Sequence, residues 1–149
     1  MLITKQIEID MGHRVPNHKS KCRNFHGHRY KIEAGVDDKI ITTSGASDEG
    51  MVIDFSDLKQ IMMDYIDEIF DHSLTLYRAD EYAPFFERLQ DEQKVNFVNF
   101  IPTAENLAKY WFDILNEELQ LKKIKLRYVK VWETPTSTAT YEVQNESTN

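Results

Sequence analysis

Hydrophobic and polar residues alternate over the first thirteen positions of the chain. Ile3, Ile7, Ile9 and Met11 fall on one parity and Thr4, Gln6, Glu8 and Asp10 on the other, with Lys5 the exception. A period of two marks a strand with one buried face. His13 continues the apolar parity. Alternation resumes at His26 and runs through His28, Tyr30, Ile32, Ala34 and Val36. The stretch between carries Pro16, Asn17, Ser20 and several cations, which is loop composition. The two strands therefore predict an antiparallel pair with His13, His26 and His28 gathered at its loop end. Residues 37–50 are polar and predict a hairpin or open connection. After the short apolar run at Met51–Phe55 the period changes. Leu58, Ile61, Met62, Tyr65, Ile66, Ile69 and Phe70 recur at three- and four-residue intervals, the stripe of an amphipathic helix. Asp54 or Ser56 is placed to cap its start, and Asp71-His72 stands at its C-terminal edge.

Residues 73–101 are less regular. They predict a short helix within 79–90, interrupted at Pro84, and an edge strand over 95–101. A second long helix starts with Thr103 as cap and Glu105 in its positive first turn, and carries Leu107, Tyr110, Trp111, Ile114, Leu115 and Leu119 as its apolar stripe. Two strands close the pattern. In the first, Leu126, Tyr128 and Trp132 oppose Val129, Val131 and Glu133; the second runs through Ala139, Tyr141 and Val143. The polar tail from Asn145 predicts a loose end. The order ββααββ predicts an α+β fold: a four-stranded antiparallel sheet with two helices on one face.

Composition changes this picture little, and charge changes it more. A chain of 149 residues, 41% hydrophobic and 29% charged, predicts one soluble globular domain over residues 1–149. No apolar run approaches the ~20 residues that cross a bilayer, and no signal-peptide pattern opens the chain. A single cysteine makes no internal disulfide, so a reducing cytoplasm is the expected location. The net charge of −7 argues against nucleic acid as a partner, and nothing points to a membrane. Yet from Arg14 to Lys31 there is no acidic residue, while Arg14, Lys19, Lys21, Arg23, Arg29 and Lys31 are basic. Cations collected around the histidines predict an anionic small-molecule substrate, with phosphate or polyphosphate the natural choice.

His26 and His28 stand two apart on one strand face, and His13 reaches them from the neighbouring strand. Three imidazoles so arranged suit zinc with a fourth position left open, the pattern of a catalytic rather than a structural site. His18 lies in the loop as a solvent or phosphate contact. Cys22 is either a small buried apolar residue or, between Lys21 and Arg23, a thiolate that acts as general base on a metal-bound substrate, a reading preferred to that of a fourth ligand. Asp71-His72 is either an ordinary helix end or a proton relay in which the carboxylate orients the imidazole. Glu133 is an exposed edge residue or a buried carboxylate accepting ligand hydrogen bonds; the pattern leaves both open.

Taken together, Met11-Gly12-His13-Arg14, Cys22-x3-His26-Gly27-His28, Gly50-Met51-Val52-Ile53-Asp54-Phe55, Asp71-His72, Pro102-Thr103-Ala104-Glu105-Asn106 and Glu133-Thr134 resemble the 6-pyruvoyl-tetrahydropterin synthase family over nearly the whole chain. The short gap between Cys22 and His26 is similar to its bacterial carboxy-tetrahydropterin branch. The resemblance implies a tunnelling fold (T-fold), in which sheets of several subunits join into a barrel as trimers or hexamers, with active sites at subunit interfaces. It implies Zn2+ on His13, His26 and His28, Cys22 as general base with Asp71 and His72 as relay, and Glu133 as anchor for a pterin ring with Thr103 and Glu105 nearby. The implied activity is the carbon–carbon lyase reaction of the queuosine (7-deazaguanine) route, from 7,8-dihydroneopterin triphosphate to 6-carboxytetrahydropterin, acetaldehyde and triphosphate. Alternatives are 6-pyruvoyl-tetrahydropterin formation and non-catalytic pterin binding. One departure is Ser73-Leu74-Thr75-Leu76, where the family commonly carries Leu-Asn after Asp-His.

Overall fold

The computed structural model of the protein describes residues 1–143, so the tail from Asn145 lies outside the described residues. Strands β1 (Leu2–His13) and β2 (His26–Asp37) pair antiparallel in the register Ile7↔Ile32, Ile9↔Tyr30, Met11↔His28 and His13↔His26. The shared parity of the apolar residues sends Ile7, Ile9, Met11, Tyr30, Ile32, Ala34 and Val36 to one buried face, as the alternation predicts.

The first long helix is α1 (Phe55–Met62), which continues through a π turn (Met63–Asp67) into α2 (Glu68–Phe70). Asp54 caps it, its Oδ1 accepting from Ser56 N at 2.7 Å. Leu58, Met62, Ile66 and Phe70 recur every four residues, a spacing that drifts by about 40° per step on a regular α-helix. The wider π turn takes up this drift and keeps all four buried. Ile69 falls off the stripe and is exposed. The second long helix (Ala104–Leu121) lays Leu107, Trp111, Leu115 and Leu119 on the same sheet face. Each fully buried side chain of this size contributes about 1.5–3 kcal/mol, so the two stripes and the sheet face hold the layers together.

The sheet is larger than the pattern predicts. Among the described residues four strands join the first two, β3 (Ser73–Tyr77), β4 (Val95–Val98), β5 (Leu126–Thr134) and β6 (Ser137–Glu142), in a six-stranded mixed sheet of order β4-β3-β1-β2-β5-β6, which overturns the four-stranded antiparallel expectation. Strand β3 (Ser73–Tyr77) runs parallel to the end of β1 through Met11↔Ser73, Gly12↔Leu74 and His13↔Thr75. After α3 (Ala83–Glu87), β4 (Val95–Val98) adds parallel to β3 as the edge. Pro84 sits in the first turn of α3 and starts that helix instead of interrupting it. Strand β3 buries its polar parity, Ser73 and Thr75, as well as Leu76 on the other, so its alternation does not mark a single apolar face. Ser73 Oγ donates to Phe70 O at 2.7 Å and Thr75 Oγ1 contacts Met11 Sδ at 3.2 Å, so both hydroxyls leave water with a partner in hand.

Helix α4 (Ala104–Leu121) precedes β5 (Leu126–Thr134) and β6 (Ser137–Glu142), which complete the antiparallel side. A register shift beside Gly35/Val36 pairs Val36 with Leu126 but Gly35 with Tyr128. The irregularity turns Leu126 inward with Val129 and Val131, against its expected grouping with Tyr128 and Trp132. No helix among the described residues is long and apolar enough to cross a membrane.

Candidate metal centre and its surrounding pocket

His13 ends β1 and His26 begins β2 as its cross-strand partner, with His28 two residues on along the same face. The three rings stand with centroids 4.6, 5.1 and 4.9 Å apart, and one ring nitrogen from each lies within 4.8 Å of the other two. Backbone carbonyls set the tautomers. His13 Nδ1 donates to Pro102 O at 2.8 Å, and His26 Nδ1 donates to Asn24 O at 2.7 Å. A neutral imidazole with its proton on Nδ1 carries a lone pair on Nε2. The 3.1 Å approach of His13 Nε2 to His26 Nε2 therefore brings two lone pairs face to face, an arrangement that a shared cation relieves. His28 Nε2 is buried with no hydrogen-bond partner, 3.9 Å from Glu133 Oε1.

Electrostatics agree with this reading. Burial pushes the His13 imidazolium down to about 4, with the Pro102 carbonyl opposing and the other two histidines assisting. Burial also lowers His28, against the pull of Glu133. Both rings are then neutral near pH 7, the form that ligates a metal. Tyr30 supports the group from beneath, its hydroxyl 3.2 and 3.3 Å from the two nitrogens of His13. Burial holds that phenol well above its usual range, so it stays protonated. Three converging imidazole nitrogens, two fixed from behind by carbonyls and one orphaned, fit a divalent metal with positions left open.

Cys22 stands in a short turn (Lys21–Arg23) of the loop between β1 and β2 and is half-buried; its carbonyl accepts from Val15 N at 2.9 Å. Cys22 lines a cavity of about 270 Å3 with His18, Thr103, Glu105, Glu133 and Ala139 among others, and Glu133 connects this cavity to His28. Thr103 also caps α4, with Oγ1 accepting from Asn106 N at 3.3 Å. Glu133 also lines another cavity, of about 370 Å3, with His28, Arg29, Lys31 and Trp132.

Asp71 and His72 stand apart from this pocket. Asp71 Oδ1 accepts from Asp10 N at 2.8 Å and Oδ2 from His72 Nδ1 at 2.6 Å. His72 adopts a left-handed backbone (φ 53), held by its own N–H to Asp10 O at 2.8 Å, and its side chain is 78% exposed. It lines a cavity with Leu74, Phe86 and Lys94, which none of the metal-side residues enters. One chain thus gathers His13, His26, His28, Cys22, Thr103, Glu105 and Glu133, and presents Asp71-His72 outward elsewhere.

The chain is similar to known proteins over nearly its whole length. The family profile described as 6-pyruvoyl tetrahydropterin synthase matches residues 2–144. The chain belongs to this family. It is therefore an enzyme of the pterin-synthase family, with lyases among its relatives. The 6-carboxy-5,6,7,8-tetrahydropterin synthase of Haemophilus influenzae is 36% identical over 144 residues, covering 94% of this chain and 97% of that one. The protein of the same name from Rickettsia bellii is 35% identical over 133 residues, covering 89% and 93%. Among solved structures, 6-pyruvoyl tetrahydropterin synthase of Caenorhabditis elegans superposes with a TM-score of 0.68 at 25% identity, over 97% of this chain and 96% of that one.

The expected basic cluster is smaller than its sequence count. Arg14 is buried against Asp80 at 2.9 Å, and Arg29 is paired with Asp10 through two contacts of 2.9 Å. Lys31 lies over the Trp132 ring, 4.1 Å from its centroid. Lys19, Lys21 and Arg23 remain as exposed cations of the Cys22 loop. The sequence pattern missed the Pro102 and Asn24 carbonyls, which carry no residue-type signal, and Asp80, whose role depends on a distant arginine.

Proposed function

We propose that this protein is a zinc-dependent 6-carboxytetrahydropterin synthase that converts 7,8-dihydroneopterin triphosphate and water to 6-carboxy-5,6,7,8-tetrahydropterin, acetaldehyde and triphosphate, in the queuosine route. The observation that carries this reading is the pair of opposed Nε2 lone pairs on His13 and His26, with the orphaned His28 Nε2, beside a cavity shared by Cys22 and Glu133. The names of the relatives at 35–36% identity support the choice of reaction.

His13, His26 and His28 would hold Zn2+, which when bound supplies Lewis acidity toward the substrate's side-chain hydroxyls. Cys22 removes a side-chain proton as general base. Glu133 accepts two hydrogen bonds from the guanidine-like edge of the pterin and fixes the ring, with Thr103 and Glu105 completing the wall. Lys19, Lys21, Arg23 and His18 hold the triphosphate. Asp71 orients His72, which carries protons to and from the side-chain carbons. Because His72 faces outward, it serves the site of a neighbouring subunit, so the working form is a homo-oligomer, a trimer or hexamer, in the cytoplasm.

The test is incubation of zinc-loaded protein with 7,8-dihydroneopterin triphosphate, following pterin products by mass and acetaldehyde by a coupled assay. The expected result is 6-carboxytetrahydropterin with equimolar acetaldehyde, lost in Cys22→Ala at unchanged zinc content and lost in His26→Ala together with zinc. Pyruvoyl product without acetaldehyde would move the chain to the other branch of the family. A fully active Cys22→Ala would remove the base assignment.

A further inference from the structure

We propose that Arg14 is a positioning residue that sets where the Cys22 loop stands over the three-histidine group. Arg14 directly follows His13 and is buried, although it opens a loop rich in exposed cations. Its Nε stands 2.9 Å from Oδ2 of Asp80, whose side chain is fully buried. The Nε–H does not lie along that contact, so charge rather than an aligned hydrogen bond holds the pair. One terminal nitrogen reaches Glu81 Oε1 at 3.5 Å. The guanidinium stacks on two aromatic rings, 4.7 Å from the Tyr82 centroid and 5.6 Å from that of Phe25. Phe25 in turn packs edgewise on Tyr82 and Phe86, at 5.5 and 5.3 Å between centroids.

These contacts join three segments at one point. Arg14 is the first residue after one metal-side histidine, and Phe25 is the last before another. The two ends of the Cys22 loop therefore close on each other through the guanidinium, just beyond the His13↔His26 pair. The third segment is fixed independently. Strand β3 is registered to β1 by His13↔Thr75, and downstream of it Asp80 is held by Asp80 N to Tyr77 O and by Tyr82 N to Asp80 Oδ1, each at 2.9 Å. Val15 N to Cys22 O then ties the cysteine's turn to the residue next to the clamp. A buried ion pair adds little net stability over apolar packing of the same volume, whereas it does specify one geometry. Here a flat cation with two usable faces and a fork of donors meets two rings and a buried carboxylate, a match that lysine cannot reproduce.

The inference rests on the reading of Cys22 as the proton-moving group, and its test separates the two. Cys22 is the only cysteine, so its alkylation by iodoacetamide reports loop geometry without turnover. In zinc-loaded Arg14→Lys we expect wild-type metal stoichiometry, an alkylation rate changed by about threefold or more, and kcat lowered by about 10- to 100-fold with KM little altered. Tyr82→Leu keeps the ion pair, removes one stacking face of a half-exposed ring, and should shift both readouts in the same direction by less. It stands in should Arg14→Lys fail to fold. Unchanged alkylation and kcat in either folded, metal-loaded variant would overturn the proposal. So would activity lost only in proportion to the unfolded fraction, with the folded part reacting like wild type. A fully active Cys22→Ala would remove the base assignment, while an altered alkylation rate in Arg14→Lys would still support the clamp.

Discussion

Asp71→Asn isolates the relay from the fold. The Asp71 carboxylate has two partners, one on each oxygen: the Asp10 amide at 2.8 Å and His72 Nδ1 at 2.6 Å. Asparagine has the same shape but one acceptor, so the two partners compete for it. The Asp10 amide belongs to a sheet strand and is part-buried; leaving it unpaired costs about 1–3 kcal/mol. The amide oxygen therefore stays with Asp10 N, and the NH2 turns toward His72. His72 Nδ1 must then accept, which moves the ring proton to Nε2 and reverses the tautomer. An Asp→Asn change that reverses a histidine tautomer in a serine-protease triad lowers kcat about 10^4-fold, and general acid–base groups contribute about 10^2–10^4-fold. Asp71→Asn should thus lower kcat by about 10^2–10^4-fold with KM and melting temperature near wild type, because every backbone partner is kept. Steady-state kinetics on the pterin triphosphate and 15N NMR of the His72 ring read the two halves of this expectation. A proton moved to Nε2 with kcat within about threefold of wild type would refute the relay. A large fall in kcat with the tautomer unmoved would refute the mechanism given for it.

Two further expectations concern the scaffold. A Cβ on Gly35 would run into the ring of Tyr128, whose hydroxyl donates to Glu33 Oε1 at 2.6 Å, so Gly35→Ala should lower stability by about 1–3 kcal/mol in urea titrations. The loss should largely vanish in a Tyr128→Ala background, and an equal loss in both backgrounds would show that the ring is not the obstacle. In metal-free protein, burial holds His13 at about 4, below its unfolded value near 6.5. The unfolded chain then binds more protons between these values, so stability should fall as pH drops through that window. Chemical denaturation of chelator-treated protein should show this slope, and a flat profile from pH 7 to 4 would mean that His13 is not neutral in the fold.

What the sequence displays and what it hides differ in a physical way. Strands β1 and β2, the stripe of α4 and the three-histidine group were legible because one rule, apolar or ligating residues at a fixed period on one face, governs all of them. The rule fails where polar groups leave water in pairs. Ser73 and Thr75 turn inward on β3 because Phe70 O and Met11 Sδ receive them, so the short strand buries its polar parity and is missed by the pattern, whereas the edge strand expected within 95–101 is present as β4. Arg14 reads as one more cation of the anion-binding loop, yet Asp80, Phe25 and Tyr82 enclose it. For Thr75 and Arg14 the burial of one polar residue is decided by a second that is distant along the chain, and a periodicity contains no such term. The same blindness extends to His72: its position beside Asp71 is visible in the sequence, but its outward direction follows from a left-handed backbone closed by the Asp10 carbonyl. That direction separates it from Cys22 within one chain, and under the proposed mechanism the relay depends on how chains meet.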